Sequence, residues 1–310
     1  MKVCFVGAGS IGKRHIRNLT KIADEDGIDL GIHLLRSGKR PLESEIDGMV
    51  EKQFYSFGEV EDDYDAIFLT NPTNLHYEYL LKLNDKARFF FIEKPVFDDI
   101  NADISVFDGD DHDKYYVACP LRYTNVLQSV RKIIGSDERI LSVRAVSSSY
   151  LPAWRPGTDY RNTYSAHKDQ GGGVRIDLIH EWDYLLDMFG RPERIMQISG
   201  KYSDLEIDSE DLAVYIAEYK DKIIELHLDY LGKYTQRYCE LITSEHDYIF
   251  DIFKSRILRD GEILQEFKEE PNDKYIREMR CFLDIMTGRT ENRNNLVHAL
   301  YTLEIALAQK

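Results

Sequence analysis

Gly7-Ala8-Gly9-Ser10-Ile11-Gly12 follows the apolar run Val3 to Val6 directly and opens a segment with helical periodicity. In that context each glycine has a task. Gly7 permits a tight turn, Gly9 lets the backbone come close to a pyrophosphate, and Gly12 lets the helix pack closely on the strand. Ser10, Ile11 and the start of the helix then offer backbone amides and a partial positive charge to phosphate oxygens. The competing reading is a plain strand-to-helix turn. A strand before and a helix after are the context that marks a dinucleotide fingerprint.

The other end of a dinucleotide is met at the tip of the next strand. An Asp or Glu there would accept bonds from the ribose hydroxyls of NAD. Here Ile32-His33-Leu34-Leu35 runs into Arg36-Ser37-Gly38-Lys39-Arg40, which holds no carboxylate. A guanidinium beside a hydroxyl, backed by two further cations, suits a 2′-phosphate. The expected cofactor is therefore NADP in preference to NAD. A solvated basic loop is the alternative.

Two strand ends and one helix carry groups that could handle a proton. Thr70-Asn71-Pro72-Thr73-Asn74 follows the run Asp65 to Thr70, and Glu93-Lys94-Pro95 follows Phe89 to Ile92. Open α/β sheets place their ligands at such carboxyl ends. A lysine there can hydrogen-bond a hydroxyl or carbonyl oxygen and stabilise negative charge developing on it. Pro95 restricts the backbone before it, and an X-Pro bond can be cis, which would aim Lys94 in a fixed direction. Farther on, Gly171-Gly172-Gly173 leads into a helical pattern, Gly173 to Phe189, in which Asp177 and His180 stand i,i+3 and so share one face. A carboxylate beside an imidazole orients it and raises its basicity, as an acid/base histidine requires. An Asp favouring the helix dipole and a histidine at a packed interface fit the same spacing.

Ahead of those glycines, the stretch Ser149 to Arg161 contains Trp154, Arg155, Tyr160 and Arg161, and Lys168 follows. Aromatic rings stack on sugar faces, and arginines grip phosphate or carboxylate bidentately. In an acidic chain such a loop points to an anionic sugar or nucleotide-sugar. A subunit-contact or lid loop is the other reading, since Trp, Tyr and Arg are also interface residues.

The scaffold that must position these groups is legible as two patterns. Residues 1–120 alternate strand-like and helix-like segments, the mark of a parallel sheet with crossover helices. Strands are expected at Val3 to Val6, Leu30 to Leu35, Asp65 to Thr70, Phe89 to Ile92 and Tyr115 to Ala118, with a helix from Ile11 to Ala23. Residues 121–310 open with a helix near Val126 to Ile134 and then change character. Alternating runs at Ile140 to Tyr150, Arg194 to Tyr202, Leu212 to Tyr219 and Lys222 to Tyr230 predict a large, mostly antiparallel sheet. Further runs at Tyr238 to Thr243, Tyr248 to Phe253 and Ile263 to Phe267 extend it, and Lys220-Asp221 reads as a tight hairpin. Two helices close the chain, near Lys274 to Met286 and Asn295 to Ala308. The expectation is a Rossmann domain, 1–120, and an α+β substrate-binding and oligomerisation domain, 121–310, whose last helix can pack back on the first.

Composition narrows the partners. The chain has 310 residues, 43% hydrophobic and 31% charged, as soluble globular proteins do. A net charge of −15 argues against nucleic acid, where cations must neutralise phosphates. Cys4, Cys119, Cys239 and Cys281 lie far apart without CxxC spacing, so neither a metal site nor a disulfide framework is expected. No apolar run approaches the ~20 residues of a membrane span. The N-terminus enters a strand at once rather than a signal peptide, and a cytoplasmic location is expected.

Jointly and in this order, the motifs resemble the Gfo/Idh/MocA family of NAD(P)-dependent oxidoreductases. The match includes His15 and Leu19 after the glycines, Asn71-Pro72-Thr73-Asn74-Leu75-His76, Glu93-Lys94-Pro95, Arg122-Tyr123 and the segment from the triple glycine to His180. The resemblance implies hydride transfer between a nicotinamide and a substrate carbon, with Lys94 and His180 carrying the chemistry and Asp177 lining the substrate site. It adds Thr70, Asn71, Pro72, His76 and Glu93 to the cofactor contacts and Arg122 and Tyr123 to the substrate contacts. It also implies small-molecule substrates, mostly sugars, sugar acids, inositols and nucleotide-sugars, and a homo-dimer or tetramer formed through the open sheet. The loop around Trp154 is similar to that of members found with surface-sugar biosynthesis, nonulosonic acids included. Leu178-Ile179 and Cys119-Pro120 depart from the family pattern and bear on the pocket's shape. A reductase of a non-sugar substrate, or a catalytically silent NADP-binding sensor, stands as the alternative.

Overall fold

Apolar runs of five or six residues, each followed by an amphipathic helix, build the first part of the chain. The computed structural model describes residues 1–107, 112–134 and 138–308. In chain order come β1 (Lys2–Val6), α1 (Ser10–Asp26), β2 (Gly31–Leu35), α2 (Ser44–Met49), β3 (Lys52–Phe54), β4 (Tyr64–Leu69), α3 (His76–Leu83), β5 (Ala87–Ile92) and β6 (Tyr115–Val117). They are followed by α4 (Asn125–Ile134), β7 (Ile140–Ser148), α5 (Val174–Asp177) and α6 (His180–Phe189). Strands β8 (Arg194–Gly200), β9 (Leu212–Glu218), β10 (Ile223–Asp229), β11 (Gln236–Thr243), β12 (Asp247–Asp251), β13 (Arg256–Arg259) and β14 (Glu262–Glu266) come next, then α7 (Asp273–Met286) and α8 (Leu296–Leu307).

The chain divides into two units, residues 1–120 with 272–301 and residues 121–271 with 302–310. A single cut at 120 therefore does not describe it, because the chain returns to the first unit after the second sheet. The reason is α7: its Phe282 ring meets Phe68 at 5.6 Å and Phe91 at 5.3 Å, edge-on in both cases. Residue-by-residue patterning marks α7 as amphipathic without saying which unit its apolar face covers.

In the first unit the strands form one sheet in the order β3-β2-β1-β4-β5-β6, parallel throughout. This is the doubly wound Rossmann order, with its reversal between β1 and β4. Strands covered on both faces read as continuous apolar runs, and the Phe5 and Phe68 rings stack across β1 and β4 at 4.4 Å. Strand β3 leaves no mark in the sequence pattern. It spans only three residues and begins with an exposed lysine, too short for periodicity to register.

In the second unit eight strands form one sheet in the order β14-β13-β12-β11-β7-β10-β9-β8. All pairs are antiparallel except β7 with β10. One face is buried by Val143, Ala145, Leu226, Leu241 and Tyr215, and α6 sets Trp182 edge-on against Tyr215 at 5.3 Å. The other face leaves Met196, Ile198, Ile216 and Ile223 exposed. The helical run after the triple glycine is two helices, not one. Leu178 (φ −102°, ψ 26°) ends α5, and the chain re-enters helix at His180. Among the described residues no helix is long and apolar enough to cross a membrane, the four cysteines are free, and no group of His, Cys, Asp or Glu could hold a metal ion.

Candidate active site

At the topological switch point the glycine-rich turn joins β1 to α1. Gly7 takes φ +91°, and its amide donates to the Leu35 carbonyl at 2.9 Å, tying the turn to β2. Nothing lies within 4 Å of where a Cβ on Gly9 would stand, so the turn opens there onto free space. Gly12 is the opposite case, since a Cβ would fall 2.6 Å from Thr70 Oγ1 and 2.7 Å from the Gly7 carbonyl. The Thr70 hydroxyl donates to the carbonyls of Val6 (2.9 Å) and Gly7 (3.0 Å), which clamps the end of β4 onto the turn. Beside it, both polar atoms of the Asn71 side chain are buried with no hydrogen-bond partner. Buried amides are seldom left so. An open glycine turn at a helix N-terminus with an unsatisfied amide next to it fits the phosphate and nicotinamide portions of a dinucleotide. Ser10 is exposed and Ile11 and Pro72 border the same turn and strand end.

At the ribose end, the Arg36 guanidinium donates to Gln53 Oε1 at 2.9 Å and to the Arg40 carbonyl. Ser37, Lys39 and Arg40 are exposed. Gln53 lies on β3, so the strand that sequence reading missed is what fixes Arg36.

The end of β5 carries Glu93 and Lys94, and the Lys94–Pro95 bond is cis. His15, on α1 and fully buried, holds Glu93 through Nε2 to Oε1 at 2.6 Å. Glu93 Oε2 accepts the Lys94 amide at 3.3 Å. Burial pushes the Glu93 carboxyl up, but the hydrogen bond and charge of His15, with the charge and amide of Lys94, hold it below the usual carboxylate range. The nucleotide helix and the lysine-bearing strand end are thus joined by one imidazole. The resemblance puts His76 among the cofactor contacts. In the structure its ring is fully buried, with Nδ1 3.1 Å from the Val96 carbonyl and Nε2 3.0 Å from the Asn71 carbonyl. It braces the two strand-end loops from behind, and burial pushes its imidazole down.

In the second unit Asp177 ends α5 and is 6% exposed. It accepts the Tyr230 hydroxyl at 2.6 Å. Burial, and then the Asp177 charge and hydrogen bond, push the Tyr230 phenol far above its ordinary range. Tyr164 bears on the same carboxylate: burial, the Asp177 charge and a hydrogen bond to Asp177 push its phenol up as well. Tyr230 meets Trp154 edge-on at 5.2 Å, and Trp154 Nε1 donates to Ser149 Oγ at 2.9 Å. The exposed Arg155 guanidinium lies over the Tyr164 ring, 5.7 Å from its centre. Asp229 fixes the turn that delivers Tyr230, accepting from the Leu231 amide (2.7 Å), the Gly232 amide (2.9 Å) and the Ser148 hydroxyl (3.0 Å). His180, half-buried, is the first residue of α6. The helix break at Leu178 means that its relation to Asp177 is set by that turn and not by one continuous helix face.

The other expected substrate contacts fall out differently. Arg122 is 5% exposed and gives its guanidinium to carboxylates of α6: Nε and Nη2 reach Asp183 at 2.8 and 2.7 Å, and Nη1 reaches Asp187 at 3.0 Å. It is a buried anchor between the 120–123 turn and α6 rather than a hand extended to a ligand, and Tyr123 is half-buried beside it. Arg161 pairs with Asp159 at 2.8 Å and Glu206 at 2.7 Å. The Tyr160 hydroxyl accepts the Glu206 amide at 3.2 Å, and the Lys168 amide donates to Asp208. Trp154 and Arg155 are therefore the loop residues grouped with Asp177. Tyr164 and Tyr230 join them, and sequence reading did not single out either. Tyr230 carries no local signal at a strand end, and Tyr164 lies beyond the aromatic stretch that ends at Arg161.

A cavity of about 390 Å³ lies elsewhere in the first unit, at the amino-terminal edge of the sheet, lined by Met1, Asp65, Arg88, Phe89 and Met286 among others. Its arginines are occupied, Arg280 by Glu25 and Asp26 and Arg289 by Asp284. Ligands of open α/β sheets lie at the other end of the strands.

Comparison with known proteins agrees with this geometry. Residues 1–107 match the family model described as oxidoreductase family, NAD-binding Rossmann fold, of the Gfo/Idh/MocA type. No protein of curated function matches the sequence detectably. Among solved structures, the WlbA dehydrogenase from Bordetella pertussis, in complex with NADH and UDP-GlcNAcA, is similar at 18% identity and a TM-score of 0.77, covering 99% of this chain and 94% of that one. A levoglucosan dehydrogenase, in complex with NADH and levoglucosan, reaches a TM-score of 0.82 at 15% identity over 99% and 95% of the two chains. UDP-N-acetylglucosamine 3-dehydrogenase GnnA from Acidithiobacillus ferrooxidans gives 0.74 at 16% over 99% and 95%. At such identities these likenesses speak for the fold of the chain and not for its substrate. Residues 1–107 are thus identified as an NAD-binding Rossmann domain of the Gfo/Idh/MocA oxidoreductase type.

Proposed function

We propose that this protein is an NADP-dependent dehydrogenase or reductase acting on a hydroxyl- or carbonyl-bearing carbon of an anionic sugar derivative, a nucleotide-sugar or sugar acid. The observation that carries the substrate class is the set of groups around Asp177: two phenols on the carboxylate, an indole at their edge and an exposed guanidinium over one ring. Rings of that kind stack on sugars, and a guanidinium takes a carboxylate or phosphate. The similar solved structures named above, sugar and nucleotide-sugar dehydrogenases among them, favour the same class. Surface-sugar biosynthesis, of the nonulosonic acid type among others, is the setting this reading fits.

A bound nicotinamide supplies the acceptor or donor of the hydride. The residues of the chain handle the proton and the charge. His180 takes the proton from the substrate hydroxyl, or returns it in the reverse direction, as a general base or acid near neutral pH. Lys94 holds the reacting oxygen and offsets its developing charge, and the Glu93 carboxylate, anchored by His15, fixes the backbone on which that lysine stands. Asp177, which already accepts phenolic hydrogen bonds, orients the substrate by its charge. The cytoplasm is the proposed location. The exposed sheet face bearing Met196, Ile198, Ile216 and Ile223 is the proposed contact between two copies, and light scattering that returned a monomer would remove that part of the reading.

The cofactor choice is tested directly. Fluorescence titration should give a Kd for NADPH about tenfold below that for NADH, because Arg36 and Ser37 meet the 2′-phosphate and the segment 36–40 holds no carboxylate. Tighter binding of NADH would overturn the NADP assignment. Screening NADP reduction against nucleotide-sugars and free sugar acids then tests the class, and turnover of only neutral, non-sugar alcohols would refute it.

A further inference from the structure

We propose that Tyr164 selects for substrate charge: its ring supports the Arg155 guanidinium, which receives a carboxylate on the sugar, while its hydroxyl steadies Asp177 beneath the same sugar. The proposal rests on the reading of the Asp177 region as the substrate site and adds the residue that sets its preference.

The first observation is where the cations of this unit are used. Arg122 is taken by Asp183 and Asp187, Arg144 by Glu225 and Glu240, Arg161 by Asp159 and Glu206, and Arg175 by Glu210. Arg155 has no carboxylate partner among the described residues, and its guanidinium lies over the face of Tyr164. A cation resting on a ring keeps its N–H donors for a ligand. What distinguishes Arg155 is its place, on the ring of a tyrosine that bears on Asp177.

The second observation is that the ring itself is held. Gly172 lies so close to the loop that a Cβ there would stand 2.2 Å from the Tyr164 carbonyl, and its amide donates to the His167 carbonyl at 2.9 Å. The fully buried Ser209 hydroxyl donates to the Ser165 carbonyl at 2.7 Å. The triple glycine thus seats the loop as well as starting the helix. From that seat the Tyr164 hydroxyl reaches Asp177 while 42% of the residue remains exposed, leaving ring surface for a sugar to stack on. The third observation is the opposite support of Asp177, the Tyr230 hydroxyl at 2.6 Å, backed by Trp154. A single aromatic ring therefore spans the anion grip and the carboxylate of the site. That arrangement suits a uronic acid, whose carboxylate and reacting hydroxyl belong to one sugar ring.

Two probes that differ by one carboxylate, UDP-GlcNAcA and UDP-N-acetylglucosamine, test this by isothermal titration calorimetry on the NADPH-loaded protein. The unmodified protein should bind the carboxylated probe about tenfold more tightly. Tyr164→Leu and Arg155→Gln should each remove that preference. Tyr164→Phe, which keeps the ring, should retain the preference and lower kcat on the carboxylated sugar about tenfold with KM unchanged. Arg155 is exposed, so its variant will fold and carries the charge test even if Tyr164→Leu does not. Preference retained in Arg155→Gln, or unchanged kcat in Tyr164→Phe, overturns the role of this tyrosine and leaves the substrate site standing. Failure of the unmodified protein to bind either probe overturns the substrate reading and the proposal together.

Discussion

Replacing His180 by alanine is expected to lower kcat by about 10²- to 10⁴-fold, the range that a positioned acid/base contributes, while NADPH binding stays within about twofold of the unmodified protein. The reason for the split lies in the construction of the chain. The glycine turn, Thr70, Asn71 and Arg36 all belong to the first unit, whereas His180 begins α6 in the second. A protein that merely sensed the nucleotide would have no use for an imidazole in that role. Steady-state rates combined with a fluorescence titration read both quantities, and unchanged turnover would refute the assignment. Lys94→Met should cut kcat by a comparable factor through loss of charge at the reacting oxygen.

Arg122→Ala is expected to destabilise the second unit by about 3–5 kcal/mol, because it leaves two buried carboxylates facing each other without their shared cation. Asp183 and Asp187 are one helical turn apart on α6, and the planar fork of Arg122 is bonded to both. Arg131 also reaches Asp187, but its side chain is a third exposed and it has no bond to Asp183. A fall in Tm of the order of 10 °C is the corresponding signal by calorimetry or circular dichroism. Arg161→Ala, which removes a guanidinium from a solvent-exposed pair, should leave Tm unchanged and serves as the control. Arg122→Lys should rescue only part of the loss, since a point charge cannot bridge both carboxylates as a fork does. Tm unchanged by Arg122→Ala would show that this arginine is not the anchor the geometry makes it.

The sequence alone determined the nucleotide unit, and the reason is that its signals are local. GAGSIG between a strand and a helix, basic residues at the tip of β2, and Lys94 at the end of β5 are each readable within a dozen residues, because period and turn chemistry act over that range. Alternation likewise marked most strands of the second sheet, since one face of each is buried. Tertiary structure decided what depends on residues far apart in the chain. It gave Arg122 to α6, made His76 a brace behind the strand ends and broke the helix between Asp177 and His180. It returned α7 to the first unit, where Phe282 meets Phe68 and Phe91. It also set Tyr164 and Tyr230, 66 residues apart in the numbering, around one carboxylate. Spacing along a chain can propose which groups do chemistry. Only folding, which satisfies buried charges with whatever partners it brings near, determines which of them remain available to a ligand.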